Sequence, residues 1–95
     1  MHARVVVYKF KAGTLDSAIR KAETEVLSLF RKRAGYRSYQ VVKTGPDGAI
    51  SISMWDTEAH AKGAAKAAAD WVKANMAGDV VSADPHLGVV AFSHR

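Results

Sequence analysis

The sequence predicts an α+β domain in which strands and helices follow one another in the order β-α-β-β-α-β. Three observations carry this prediction: runs of β-branched and aromatic residues, two stretches with apolar residues at helical spacing, and Gly- or Pro-containing segments between them. The chain has 95 residues, of which 48% are hydrophobic and 24% charged. This composition is typical of one globular domain, taken here as residues 1–95, and not of a disordered chain.

The first strand is predicted at residues 4–10, where β-branched and aromatic side chains occupy both alternating positions. Thr14 can cap the helix that follows, and Asp16 in its first turn suits the helix dipole. We expect this helix over residues 15–34, because its apolar residues recur at steps of three and four: Leu15, Ile19, Ala22, Val26, Leu29 and Phe30. Gly35 is expected to end the helix in the left-handed conformation.

A hairpin is predicted next. Its strands are residues 36–43 and residues 49–55, and the loop between them (TGPDG) is dense in turn-forming residues. In the second of these strands apolar residues alternate with serines, which is the period of a strand with two different faces. The alternating set is Ile50, Ser51, Ile52, Ser53 and Met54.

A second helix and a fourth strand complete the order. Asp56 or Thr57 can cap a helix over residues 58–77, which is rich in Ala and so has high helix propensity. An irregular segment is expected as far as Pro85, followed by a strand at residues 87–93. The resulting architecture is ferredoxin-like, with a four-stranded antiparallel sheet and both helices on one face.

The other face of this sheet has no helix to cover it. The first and fourth predicted strands are apolar on both parities, so the bare face would be a large apolar patch. We therefore predict a homodimer in which two sheets pack face to face.

One segment of the chain resembles a known family. A helix ending in AGY (residues 34–36), an unequal hairpin, and a strand closing in MWDTEAH (residues 54–60) are similar to the antibiotic biosynthesis monooxygenase (ABM)-like group of dimeric α+β barrels. The resemblance implies that two protomers share a barrel and that each holds a ligand pocket between its sheet and its helices. Members of the group include cofactor-independent oxygenases acting on phenols or quinols, haem-degrading oxygenases and proteins without known activity.

The haem-degrading pattern is not reproduced. That pattern has an Asn on the first strand, and a Trp and a haem-ligating His about three turns apart on the second helix. Here Asn75 is the sole Asn, and Val81 stands ten positions after Trp71. His60 comes before that Trp, so two of the three positions fail and haem is not an expected cofactor.

Cofactor-independent oxygenation asks little of a protein, which must bind an aromatic substrate, remove a proton and exclude water. For this chemistry the candidate catalytic residues are His60 and Tyr36. The candidate substrate-binding residues are Trp55, Trp71, Tyr8, Tyr39 and Arg37. Each has a competing interpretation, since the two Trp side chains would equally suit a core and His60 a surface position. The function predicted first is therefore a monooxygenase acting on a small aromatic compound, and the alternative is a non-catalytic ligand-binding or structural homodimer.

Other functions are disfavoured by what the sequence lacks. The absence of Cys removes disulfides, thiolate metal sites and a Cys nucleophile. The net charge of +5 comes from a cluster at residues 31–33 and from scattered cations, and the third strand has no ring before Trp55, so no nucleic acid is expected as a partner. No apolar run approaches the length of a membrane span, and a cytoplasmic location is expected.

Overall fold

Four strands form one antiparallel sheet in the computed structural model, which describes residues 1–94. The strands are β1 (His2–Phe10), β2 (Tyr36–Lys43), β3 (Gly48–Trp55) and β4 (Val80–Val89), and their order across the sheet is β2-β3-β1-β4. Both central strands pair antiparallel with each neighbour. The predicted ferredoxin-like α+β fold is therefore confirmed.

Two helical regions cover one face of the sheet. The N-terminal helix consists of an α-helical part Leu15–Lys21, a π-helical part Ala22–Val26 and a second α-helical part Leu27–Arg31, and the C-terminal helix is Glu58–Asn75. Both helices end earlier than the sequence predicts. The predicted Thr57 cap is confirmed, because its hydroxyl accepts from the His60 backbone N–H at 3.2 Å, whereas the Thr14 hydroxyl instead donates to the carbonyl of Lys11. None of the helices in residues 1–94 is both long and apolar enough to cross a membrane.

The predicted position of the fourth strand is wrong. β4 begins at Val80 and ends at Val89, so the strand contains the segment around Pro85 that was expected to be irregular. The physical reason is that β4 lies at the edge of the sheet and pairs with β1 alone. A proline lacks an N–H, but an edge strand needs only one of its two sides for pairing, so a proline is tolerated there.

The two faces of the sheet carry side chains that differ in size and polarity. Toward the helices β3 presents buried Ala49, Ser51, Ser53 and Trp55. Its alternate residues lie on the other face, where Ile50 pairs with Val7 and Ile52 with Val5 of β1. Val7 and Val42 on this open face are 43% and 46% exposed. β3 thus directs its Ile side chains away from the helices. On its other face the small side chains of Ala49 and Ser51 leave space between the sheet and the helices.

Gly35 adopts the left-handed conformation that the sequence predicts, with φ +81. A Cβ at this position would run into the His60 ring, whereas Gly13, with φ +82, has open space at the same place. Gly35→Ala is therefore expected to lower the free energy of unfolding by about 1 to 2 kcal/mol for backbone strain and by about a further 1 to 3 kcal/mol for the clash. Urea unfolding followed by circular dichroism measures the sum of these two losses.

Gly13→Ala is the matched control, because it carries the strain without the clash. Adding His60→Ala to Gly35→Ala should restore the part of the clash component that the ring atoms cause, while the His60 Cβ remains in close contact. Equal losses for Gly13→Ala and Gly35→Ala would contradict this account of the contact between Gly35 and His60.

Candidate functional site

A small cavity lies between the sheet and both helices. Its walls combine aromatic side chains (Tyr8, Phe10, Tyr39 and Trp71) with a large set of aliphatic ones. The π-helical part of the N-terminal helix contributes Ala22 and Val26, a feature that the sequence pattern does not reveal. The inner cavity, as we call this space, measures about 40 Å³. That volume holds a few water molecules, whereas small-molecule sites usually measure about 300 to 1,000 Å³.

A second and larger space opens beside the inner cavity. The outer groove, as we call it, runs between the C-terminal helix and β4 and measures about 660 Å³. Its walls are mostly apolar and include Val6, Val72, Pro85 and Leu87. Arg4, Tyr8 and Val72 line both spaces, so these three side chains stand between them.

Arg4 is the most unusual residue of the site. It lies in the middle of the sheet, is only 4% exposed, and its Nε has no hydrogen-bond partner. It takes part in none of the ion pairs formed within residues 1–94. The guanidinium carbon lies 6.0 Å from the centre of the Phe30 ring, a cation–π contact that does not supply a negative charge. Buried charges in proteins are normally paired, so a lone buried guanidinium is a candidate for binding.

Tyr39 provides a hydrogen-bond donor in the wall of the inner cavity. Burial raises the pKa of Tyr39 to about 12, although the neighbouring Ser51 hydroxyl and Arg4 act in the other direction. The phenol therefore stays protonated throughout the physiological range. Trp71 completes the aromatic wall, and its indole N–H donates to a carboxylate oxygen of Glu25 at 3.3 Å.

The structure brings together three of the residues singled out from the sequence, since Tyr8, Tyr39 and Trp71 share the inner cavity. It places Trp55 elsewhere, fully buried in a cluster with Phe30, where the indole N–H donates to the Ser53 hydroxyl at 2.9 Å. Trp55 therefore packs as a core residue in this arrangement, and its predicted role in substrate binding stays a prediction.

The two predicted catalytic residues and Arg37 also lie away from the inner cavity. His60 sits in the first turn of the C-terminal helix, with Nδ1 3.0 Å from the Thr57 hydroxyl, and Tyr36 packs edge-on against the Trp55 ring. Arg37 is exposed and forms an ion pair with Asp56. Neither His60 nor Tyr36 is among the described residues that line the inner cavity or the outer groove, so their predicted roles stay predictions.

Sequence reasoning missed Arg4. The signal was the one Lys or Arg on the helix-facing parity of the strand, which it shares with Val6, Tyr8 and Phe10. A metal centre finds no support in residues 1–94, where no group of three or more potential His, Cys, Asp or Glu ligands comes together.

Several solved structures are similar in fold to this chain. No protein-family model and no curated protein matches the chain. A protein of unknown function from Nitrosomonas europaea superposes with a TM-score of 0.79 at 20% identity, covering 99% of this chain and 92% of its own. A Chloroflexus aurantiacus protein named as an antibiotic biosynthesis monooxygenase gives 0.74 at 18% identity, with 99% and 96% covered.

A third structure adds a ligand complex. It is a monooxygenase from Streptomyces coelicolor in complex with nanaomycin D, which gives a TM-score of 0.78 at 15% identity and covers 99% of this chain and 90% of its own. At these identities the likeness establishes the fold. The chain therefore shares the fold of the ABM-like proteins that its segment around residues 34–60 resembles.

Proposed function

We propose that this chain is a cofactor-independent monooxygenase that acts on a small aromatic substrate of the phenol or quinol type. The observation that carries the proposal is the inner cavity, in which Tyr8, Tyr39 and Trp71 line a largely apolar space between sheet and helices, with Arg4 and Ser51 as its other polar residues. Aromatic walls with a few polar groups are what a site needs to hold and orient a planar ring. The monooxygenase names of several structures with this fold support the same activity.

The reaction needs no group beyond the substrate and dioxygen. A phenol loses its proton, and the phenolate transfers electrons to dioxygen as a new ring C–O bond forms. The resulting hydroperoxide loses water, so a phenol with a free para position and one O2 give one quinone and one H2O. The substrate is oxidised, and one oxygen atom enters the product while the other is reduced to water.

The residues of the inner cavity suit the binding and protection parts of this reaction. Tyr39 remains a hydrogen-bond donor and can stabilise an oxygen that becomes negative. Trp71 offers a ring face for stacking, and the aliphatic walls exclude water. Proton removal by His60 or Tyr36, the catalytic residues predicted from the sequence, would require a substrate that reaches beyond the inner cavity.

A homodimer is part of this proposal. The open face of the sheet carries Val5, Val7, Ile50 and Ile52, and it lies opposite the face that holds the cavity. Covering this face with a second copy would bury apolar surface without blocking either the inner cavity or the outer groove.

The alternative function is a non-catalytic small-molecule-binding or structural homodimer. The observation in its favour is the size of the inner cavity, about 40 Å³, since an engineered cavity that binds benzene measures about 150 Å³. Substrate binding in the inner cavity therefore requires the half-buried Trp71 or its neighbours to move.

Oxygen uptake with a panel of phenols and quinols tests the proposed activity. We expect consumption of O2 with formation of one quinone per O2, and a loss of about 10- to 100-fold in kcat/KM for Tyr39→Phe, because a hydrogen bond to a charged oxygen is removed. Trp71→Ala should mainly raise KM. Ser17→Ala, on the exposed side of the N-terminal helix, is the neutral control.

Two further variants separate the competing assignments. If proton removal depends on the predicted catalytic residues, Tyr36→Phe or His60→Ala should lower kcat, and if it does not, only the cavity variants should. Binding of phenols without any O2 consumption would favour the non-catalytic alternative.

A further inference from the structure

We infer that the outer groove is the entrance and main binding surface for a small aromatic anion, and that the Arg4 guanidinium at its floor binds the carboxylate or phenolate oxygen of that ligand. This inference rests on the proposed function for the aromatic character of the ligand. It adds the charge of the ligand, the residue that recognises it and the place where it lies.

The positive charge of the buried Arg4 guanidinium has no counter-ion among residues 1–94. Arg4 is only 4% exposed and lines both the groove and the inner cavity. Its Nε has no hydrogen-bond partner. No carboxylate forms an ion pair with it in the described part of the chain. An anion bound in the groove would supply the missing counter-charge and accept from the donors of the guanidinium.

The outer groove as a whole carries positive charge. Two cations line it, Arg4 at the floor and Lys73 at the rim, and no Asp or Glu of residues 1–94 does. The rest of the surface is apolar apart from the Tyr8 hydroxyl. A trough of this composition favours a ligand that has a flat apolar body and one negative group.

The outer groove is also large enough to hold a small aromatic ligand. The groove measures about 660 Å³, which lies within the usual range for small-molecule sites, whereas the inner cavity does not reach it. Because Arg4, Tyr8 and Val72 line both spaces, a ring lying in the groove with its anionic oxygen on Arg4 is already next to the inner cavity.

Arg4 would also favour the proposed chemistry. A positive charge beside a bound phenol favours its deprotonated form, and the phenolate is the form that reacts with dioxygen. In this role Arg4 holds the proton-free state of the substrate rather than accepting its proton.

Isothermal titration calorimetry with 2-naphthoate, the neutral 2-naphthalenemethanol and the aliphatic octanoate tests the inference on the full chain. We expect naphthoate to bind at least about 10-fold more tightly than the alcohol, as a charge-assisted hydrogen bond implies, and more tightly than octanoate. Arg4→Met should remove the preference for the anion, while Arg20→Met, which removes an exposed cation of the N-terminal helix, should leave it unchanged. 2-Naphthol, measured below and above the pH at which it ionises, distinguishes phenolate from carboxylate recognition.

If Arg4→Met does not fold, the ligand site is located instead from the changes in amide chemical shift that naphthoate causes in the wild-type chain. Naphthoate should shift Lys73 and Leu87, which line the groove, and not Ser28 on the far side of the N-terminal helix. Equal affinity for naphthoate and the alcohol, equal affinity for octanoate, or no binding because a second copy's C-terminal segment fills the groove would each overturn the inference.

The two proposals fail in different ways. Anion binding that depends on Arg4 without any oxygen uptake would leave the inference standing and remove the monooxygenase activity. Phenol oxidation with unchanged KM in Arg4→Met would do the reverse.

Discussion

Replacing Trp55 with alanine is expected to lower the free energy of unfolding by about 3 to 5 kcal/mol. Trp55 is 0% exposed and packs edge-on against Phe30, with ring centroids 5.3 Å apart. The Tyr36 ring also packs edge-on against Trp55, with ring centroids 5.7 Å apart. Truncation would leave a large void at the centre of one of the two core clusters, and so small a domain has little stability to lose. Urea unfolding followed by circular dichroism measures the loss.

The conservative variant Trp55→Phe separates packing from hydrogen bonding. It retains much of the ring volume but leaves the fully buried Ser53 hydroxyl without the indole N–H that it accepts at 2.9 Å. We expect a cost of about 1 to 3 kcal/mol for that orphaned hydroxyl, in addition to the lost volume. Adding Ser53→Ala should recover part of it, because the unpaired polar group is then removed.

The same variants decide between the two interpretations of Trp55 that the sequence allowed. A core residue changes stability and leaves KM for phenols unaltered in the folded fraction of Trp55→Phe. A loss below about 1 kcal/mol in Trp55→Ala, or a raised KM with unchanged stability in Trp55→Phe, would contradict the core role.

The sequence predicted the fold because periodicity and turn residues depend on local physics. The alternation of Ile50, Ser51 and Ile52 defined a two-faced strand, and Gly35 has the predicted left-handed conformation in the turn between the N-terminal helix and β2. The position of β4 was not predictable in the same way. Whether Pro85 breaks a strand depends on whether that strand lies at an edge, and this is a property of the whole sheet.

The candidate site was predictable only in part. The sequence identifies Tyr8, Tyr39 and Trp71 as aromatic residues with polar groups, yet their convergence depends on how the helices lie across the sheet. Arg4 could be seen as an odd cation in an apolar strand, but its lack of a partner is a three-dimensional fact. His60 lies close to Gly35 at the start of the C-terminal helix, away from the lining of the inner cavity, so its catalytic role stays a prediction.

The open sheet face leads to the second large prediction, a homodimer that one charge can dissociate. Val7 lies on the inner strand β1, opposite Ile50 of β3, and is 43% exposed in the protomer. A lysine there remains in contact with water in an isolated chain, so Val7→Lys should fold with a stability change of about 0.5 kcal/mol or less. In a face-to-face dimer the same ammonium would be buried without a partner.

Val7→Lys is therefore expected to convert a particle of twice 10.2 kDa into one of 10.2 kDa in light scattering at micromolar concentration. Burying an uncompensated charge costs about 3 kcal/mol or more, and two-fold symmetry places the substitution on both subunits, so dimer affinity should fall by about 10⁴-fold. Leu87→Lys is the matched control, because Leu87 is 44% exposed on the opposite face of the sheet and lines the outer groove. Retention of the dimer by Val7→Lys, its loss in Leu87→Lys, or a wild-type mass near 10.2 kDa would each rule out sheet-to-sheet pairing, because only that geometry makes the chain sensitive to charge on one face and indifferent to it on the other.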